Sequence, residues 1–195
     1  LFKDKKVRWA LSYAIDRQSI IDKLLFSAAV PISSHIFYKS KFINDKLPSI
    51  PFDLEKSKQL LDEAGWKDTD GDGIRDKIVD GKKMDFKFTF INNNNPKRKK
   101  VMLIIIESLK QLGVQADLQE YEWSVFLDKY KKHDYDACYA SWQLTVTPDD
   151  PYQIWHTSQT VGEGSNSFNY KNPEADKLLE ENRVTFDDVK RKEIL

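Results

Sequence analysis

The stretch from Met84 to Tyr121, MDFKFTFINNNNPKRKKVMLIIIESLKQLGVQADLQEY, decides how the chain is read. From Met84 to Ile91, Phe86, Phe88 and Phe90 alternate with Asp85, Lys87 and Thr89. A period of two predicts a half-buried strand. The asparagines 92–95 lead into Pro96, which suits the first turn of a helix. Apolar residues then recur at helical spacing, at Val101, Ile104, Ile105, Leu109 and Leu112, and Gly113 ends the run. Val114, Ala116 and Leu118 alternate again up to Tyr121, predicting a second strand. A strand, a helix and a strand joined this closely form a crossover unit with parallel pairing, which places the chain in the α/β class.

Working outward, Glu122–Lys132 reads as a short helix and Tyr135–Leu144 as a third strand, apolar on both faces around Cys138. Upstream, Asp4, Asp16 and Asp53 each stand where an N-cap belongs. The helices behind them carry Val7, Ala10, Leu11 and Ala14; then Ile20, Ile21, Leu24 and Leu25; then Leu54, Leu60, Leu61 and Ala64. Gly65 suits a left-handed C-cap. Between Val30 and Pro51 the pattern dissolves into a loop. Asn172-Pro173 starts a helix on Ala175, Leu178 and Leu179, and Asp187 starts another.

The 195 residues hold 31 basic and 31 acidic side chains, so the formal net charge is zero. That leaves no electrostatic footprint for nucleic acid, which is not expected as a partner. A hydrophobic share of 40% with 32% charged residues describes a globular chain. One cysteine rules out an internal disulfide and a Cys-rich zinc site. The longest apolar run, Val101–Ile106, is far shorter than the ~20 residues of a membrane span. Both ends read as cut, so the expectation is a fragment of a longer protein.

Residues 68–76 match the first nine positions of a calcium loop, with Asp68, Asp70, Asp72 and Asp76, Gly73 at the sharp turn and Ile74 for its carbonyl. The twelfth position needs a bidentate carboxylate and has Val79. The expectation is a turn, with weak calcium affinity at most. His35, His133 and His156 lack the spacing of a zinc site. Cys138 reads as a small buried hydrophobe. No phosphate loop, dinucleotide fingerprint or nucleophile elbow is present, so no enzyme and no cofactor are expected. The cluster Lys97-Arg98-Lys99-Lys100 at a helix start is a solvated face or, with the helix amides, an attraction for an anion.

Several segments together resemble the family 5 extracellular solute-binding proteins, the oligopeptide, dipeptide and nickel receptors of ATP-binding-cassette importers. They are Val7-Arg8-Trp9-Ala10-Leu11-Ser12-Tyr13-Ala14-Ile15-Asp16-Arg17, Ala64-Gly65-Trp66, Glu122-Trp123, Tyr135-Asp136 with Trp142, Asp150-Pro151, and the run from Tyr170 to Leu179. The resemblance implies a type II periplasmic-binding-protein-like α/β fold with a mixed sheet flanked by helices. It covers one lobe, residues 1–195, the C-terminal ligand-binding lobe of a two-lobed receptor whose N-terminal lobe is missing. It further implies an oligopeptide held in a cleft, delivery to permease subunits in the membrane, and a periplasmic or lipid-anchored location. Nickel complexes, sugars or other small solutes are the alternative cargo on that scaffold. Rivals of other classes are a calcium-binding structural module and a hydrolase using Asp149 and Asp150.

The resemblance makes Trp123 and Trp142 cleft-lining, with Tyr130 and Tyr139 at lining positions held by other residue types in relatives. It makes Asn92 to Arg98, with Asn95, Lys97 and Arg98 as candidate contacts, the loop and helix start that reach the distal end of the peptide. The loop beginning Trp142-Gln143 departs from the family. Where relatives often carry an aspartate for the ligand ammonium, Thr147 stands, and Asp149 and Asp150 are displaced. One of those two acids is the expected partner of the ammonium.

Overall fold

The structure is a computed structural model that describes residues 1–143, 150–162 and 164–195. The chain forms two compact units. The first comprises Leu1–Pro31, Ile50–Phe126 and Tyr135–Ala140; the second comprises Ile32–Ser49, Leu127–Asp134 and the described part of Ser141–Leu195.

Helices α1 (Lys5–Tyr13), α2 (Arg17–Leu24) and α3 (Leu54–Glu63) open the first unit. Each begins where its cap residue predicts. Asp4 accepts from the Lys6 amide, Asp16 from Ser19 and Asp53 from Lys56. These bonds satisfy amides that the first helical turn leaves without partners. Small residues let α1 and α3 approach: the Ser57 hydroxyl, wholly buried, donates to the Ala10 carbonyl at 2.7 Å.

Next come β1 (Asp76–Val79), β2 (Lys82–Asp85), β3 (Lys87–Asn93), α4 (Pro96–Lys110), β4 (Gln115–Tyr121), α5 (Trp123–Lys132) and β5 (Ala137–Cys138). The sheet order is β4-β3-β5, all parallel; the antiparallel pairing expected of a mixed sheet occurs in a separate ribbon, β1-β2. The predicted strand at 84–91 is divided at Phe86. Asp80 and Gly81, both at positive φ, close a two-residue hairpin between Val79 and Lys82 and draw residues 82–85 into the ribbon. Phe86 changes ladders: its amide donates to the Arg75 carbonyl and its carbonyl accepts from Gln115.

The third strand is shorter than predicted. Cys138 pairs with Ile91, and the Tyr139 amide still donates to the Ile91 carbonyl. Two residues past Ile91, β3 ends and the chain turns toward α4, so no ladder remains for residues beyond Ala140 to join.

Phe86 and Phe88 lie at the centre of the core of the first unit, with Trp66, Leu61, Val7, Val101 and Ile105 around them. Arg75 fastens the turn above it, donating to the carbonyls of Leu112 and Trp66 at 2.7 and 2.6 Å. Gly113 ends α4 at φ 72°, and a Cβ there would meet Arg75 and the Gly73 carbonyl at 3.2 Å.

The second unit holds α6 (Tyr152–Trp155), a 3₁₀ turn at Thr157–Thr160, α7 (Pro173–Val184) and α8 (Asp188–Ile194). Asn172 and Asp187 cap α7 and α8 as predicted. Asn166, fully buried, ties the turn together by exchanging bonds with both backbone groups of Tyr170 and donating to the His156 carbonyl.

Candidate functional site

A parallel sheet gathers its loops at the carboxyl ends of its strands, and ligands of open α/β sheets bind at such an edge. Three connections of the first unit meet there. The β3–α4 turn carries Asn94 to Arg98, the β4–α5 turn carries Glu122 and Trp123, and Tyr139 follows β5. The sheet register therefore assembles Asn95, Lys97, Arg98, Trp123 and Tyr139 from stretches up to 44 residues apart in sequence.

The turns are braced against each other. The Asn94 amide nitrogen donates to the Tyr121 carbonyl at 2.9 Å, and its side chain donates to Glu122 at 2.6 Å. Lys99 pairs with Glu120 at 2.5 Å. The Arg98 guanidinium lies 5.7 Å from the centre of the Tyr139 ring, a cation–π distance, and 3.5 Å from the Asn93 side-chain oxygen. Trp123 is half exposed and stacks on the buried Phe126 with centroids 5.8 Å apart. The edge thus offers an indole face, a phenol ring and two cationic side chains.

Asn95 also has a structural role. Its side-chain oxygen accepts from the amides of Lys97 and Arg98 at 2.9 and 3.2 Å, so it is the cap of α4. Those amides are taken, and an anion here would meet the side chains of Lys97 and Arg98 rather than the open helix end that the sequence suggested. Sequence reading also missed Asn94 and Glu122 as braces and Asn92 as a buried side chain. The asparagine run was the available signal, since four such residues after a strand exceed what a turn needs.

The remaining expected residues belong to the second unit. Trp142 and Gln143 are exposed. The Tyr130 hydroxyl accepts from Ser167 at 2.5 Å. Asp150 is held by Arg183 through three contacts of 2.8–3.1 Å and accepts from the Tyr152 amide, and the guanidinium keeps its carboxyl below the usual range. Arg183 also covers the Tyr152 ring at 3.8 Å. An Asp150 so engaged is a structural partner of Arg183 first. Thr147 and Asp149 lie outside the described residues.

The acidic loop is a turn. Asp68 accepts from the amides of Gly71 and Gly73, Asp72 from Ile74, and buried Asp76 from the amide and hydroxyl of Thr69. Asp70 pairs with Lys83, which lowers the Asp70 pKa and raises that of the lysine. Carboxylate oxygens of Asp68, Asp70 and Asp76 lie within 4.8 Å of one another, while Asp72 is not part of that group. A cation would have to displace Lys83 and gain no bidentate acid, so millimolar calcium should leave the melting temperature nearly unchanged. A large rise in melting temperature that Asp70→Ala abolishes would contradict this.

Cys138 shows no activation. Burial pushes its thiol up to about 11. At pH 8 the thiolate population should fall roughly a hundredfold below that of the unfolded chain, so iodoacetamide should label the native protein far more slowly. An acid whose folded pKa is raised stabilises fully below its unfolded value, and that share is lost as pH rises from about 9 toward 11. Equal labelling rates with and without urea would refute the burial argument.

Residues 1–165 match the profile of the bacterial extracellular solute-binding proteins, family 5 middle region. The oligopeptide-binding protein AppA of Bacillus subtilis is 42% identical over 188 residues, covering 93% of this chain and 33% of that protein. The structure of that AppA in complex with a nonapeptide superposes with a TM-score of 0.89 at 38% identity, over all of this chain and 38% of the other. NikZ from Campylobacter jejuni, in complex with Ni(L-His), gives 0.85 at 28% identity, over 98% of this chain and 38% of the other. The chain spans about a third of the length of these relatives.

Proposed function

Because the chain belongs to the bacterial extracellular solute-binding proteins of family 5, we propose that it is the C-terminal lobe of an extracytoplasmic receptor that captures oligopeptides. Both units belong to that one lobe, and an N-terminal lobe of the same protein closes over the ligand. The receptor hands its cargo to the permease subunits of an ATP-binding-cassette importer, from the periplasm or from a lipid anchor outside the cell. It performs no catalysis. The observation that carries this reading is the ligand edge of the parallel sheet, where Trp123, Tyr139, Lys97 and Arg98 are assembled by register.

The chemistry of that edge suits an extended peptide of variable sequence. Aromatic faces accept apolar and polar side chains alike. The two cations suit a carboxylate near the distal end of the peptide, and water can fill the space that a small side chain leaves. On the second unit, exposed Trp142 and Gln143 are ligand contacts in this reading. Tyr130 is a lining residue, and Asp149 is the acid left for the ligand ammonium, since Asp150 is bound to Arg183.

Native mass spectrometry of the intact receptor, purified from its own cells without denaturation, tests the proposal. Copurified peptides of several lengths are expected. A metal complex, a sugar or stoichiometric calcium in their place would replace the oligopeptide with that cargo.

A further inference from the structure

Asn92 is wholly buried, and neither its side-chain nitrogen nor its side-chain oxygen has a hydrogen-bond partner among the described residues. A buried amide without partners is among the costly features of a fold, and side chains of similar volume without polar atoms would fill the space freely. Neighbouring strand positions show the alternative, because Phe88 and Ile91 are buried in the same strand.

Its place in the sheet is specific. Asn92 pairs in register with Glu120 of β4. The Tyr139 amide donates to the Ile91 carbonyl, so the next step of the ladder sets Tyr139 on the other side of Asn92. Parallel partners present their side chains to one face. Glu120, Asn92 and Tyr139 therefore form a row across the end of the sheet. Both outer members reach the first turns of α4: Glu120 holds Lys99, and Tyr139 lies against Arg98. The orphan amide lies in the middle of that row, directly behind the edge assigned to the ligand.

We propose that Asn92 is a positioning residue, holding an internal water between the end of β3 and the first turn of α4 and so fixing how Arg98 and Tyr139 face the ligand. The inference rests on the peptide-capture reading of the same edge. A water needs two to four polar partners, and Asn92 supplies donors and an acceptor in a row flanked by a carboxylate and a phenol. An apolar residue in its place removes a desolvated amide and keeps the fold, yet loses the link to α4. Stability and binding then move in opposite directions, a separation that a purely structural residue does not give.

The test uses the intact receptor and one nonapeptide with free ends. Asn92→Leu should keep or raise the melting temperature and weaken nonapeptide binding about tenfold. Asn92→Ser keeps a polar group with room for water and should bind more tightly than the leucine variant. In the unmutated receptor, the Asn92 side-chain amide protons should show a cross-relaxation peak with a long-lived water. Wild-type affinity in Asn92→Leu, or amide protons without a water contact, overturns the proposal. If Asn92→Leu fails to fold, the serine variant and the water measurement decide. If the unmutated receptor ignores the nonapeptide, the peptide reading falls instead, and the water measurement still decides whether Asn92 holds a solvent molecule.

Discussion

Replacing Phe86 with alanine should destabilise the first unit by about 3–5 kcal/mol, the range for emptying a buried aromatic site. The ring is wholly buried, 4.6 Å from that of Trp66 and 6.3 Å from that of Phe88. Its backbone joins Arg75 to Gln115, so the surroundings cannot collapse into the space without disturbing the start of the parallel sheet. Domains have ~5–15 kcal/mol in total, so a large share of the stability is at stake. Urea denaturation followed by tryptophan fluorescence would measure it, because Trp66 reports from the same contact. Phe186, 93% exposed, is the control, and its alanine variant should stay within about 0.5 kcal/mol of the parent. Equal losses at the two sites would show that the core is not centred on Phe86.

The second large effect concerns affinity. The 195-residue chain alone should bind a nonapeptide no tighter than about millimolar, near −4 kcal/mol. A peptide on the open edge keeps one side in water, yet still gives up its translational and conformational freedom. Half of the contacts with most of the cost leaves little net binding. Under the proposed two-lobed reading, the intact protein should bind the same peptide far more tightly. Calorimetry on the two proteins with one peptide makes the comparison. Micromolar binding by the isolated chain would mean that this lobe holds the ligand by itself, and the two-sided picture would have to be given up.

Much of the helical structure was legible because its causes are local. The side chains of Asp4, Asp16, Asp53, Asn172 and Asp187 each accept a backbone amide where a helix begins, and each reads as a helix start from its neighbours in sequence. The strand–helix–strand unit around α4 was legible because its periods of two and 3.6 are unmixed. Gly113 marked its end, since a Cβ would collide with Arg75. Val7–Arg17 and Glu122-Trp123 carry the resemblance to the family that the profile match shows.

What escaped depends on partners distant in sequence. The alternation across Phe86 is the same whether one strand or two run through it; the Asp80-Gly81 hairpin and the carbonyl of Arg75 divide it. Residues 135–144 looked like a full strand because apolar composition does not report that β3 stops at Asn93. That the Asn95 oxygen accepts from the Lys97 and Arg98 amides is a matter of how the turn after β3 is folded. Asp150 looked like a free acid until Arg183, 33 residues later, was found to hold it.

By itself the sequence determined the α/β class, the helix starts, the parallel unit and the family, because caps, periods and motifs are written in neighbouring residues. Tertiary structure alone decided where β2 ends and β3 begins, which polar side chains are occupied by the fold, and that Asn92 is buried without a partner. Each of these depends on which strand lies beside which and in what register. A shift of one residue in that register would turn Asn92 and Phe88 to the opposite face of the sheet.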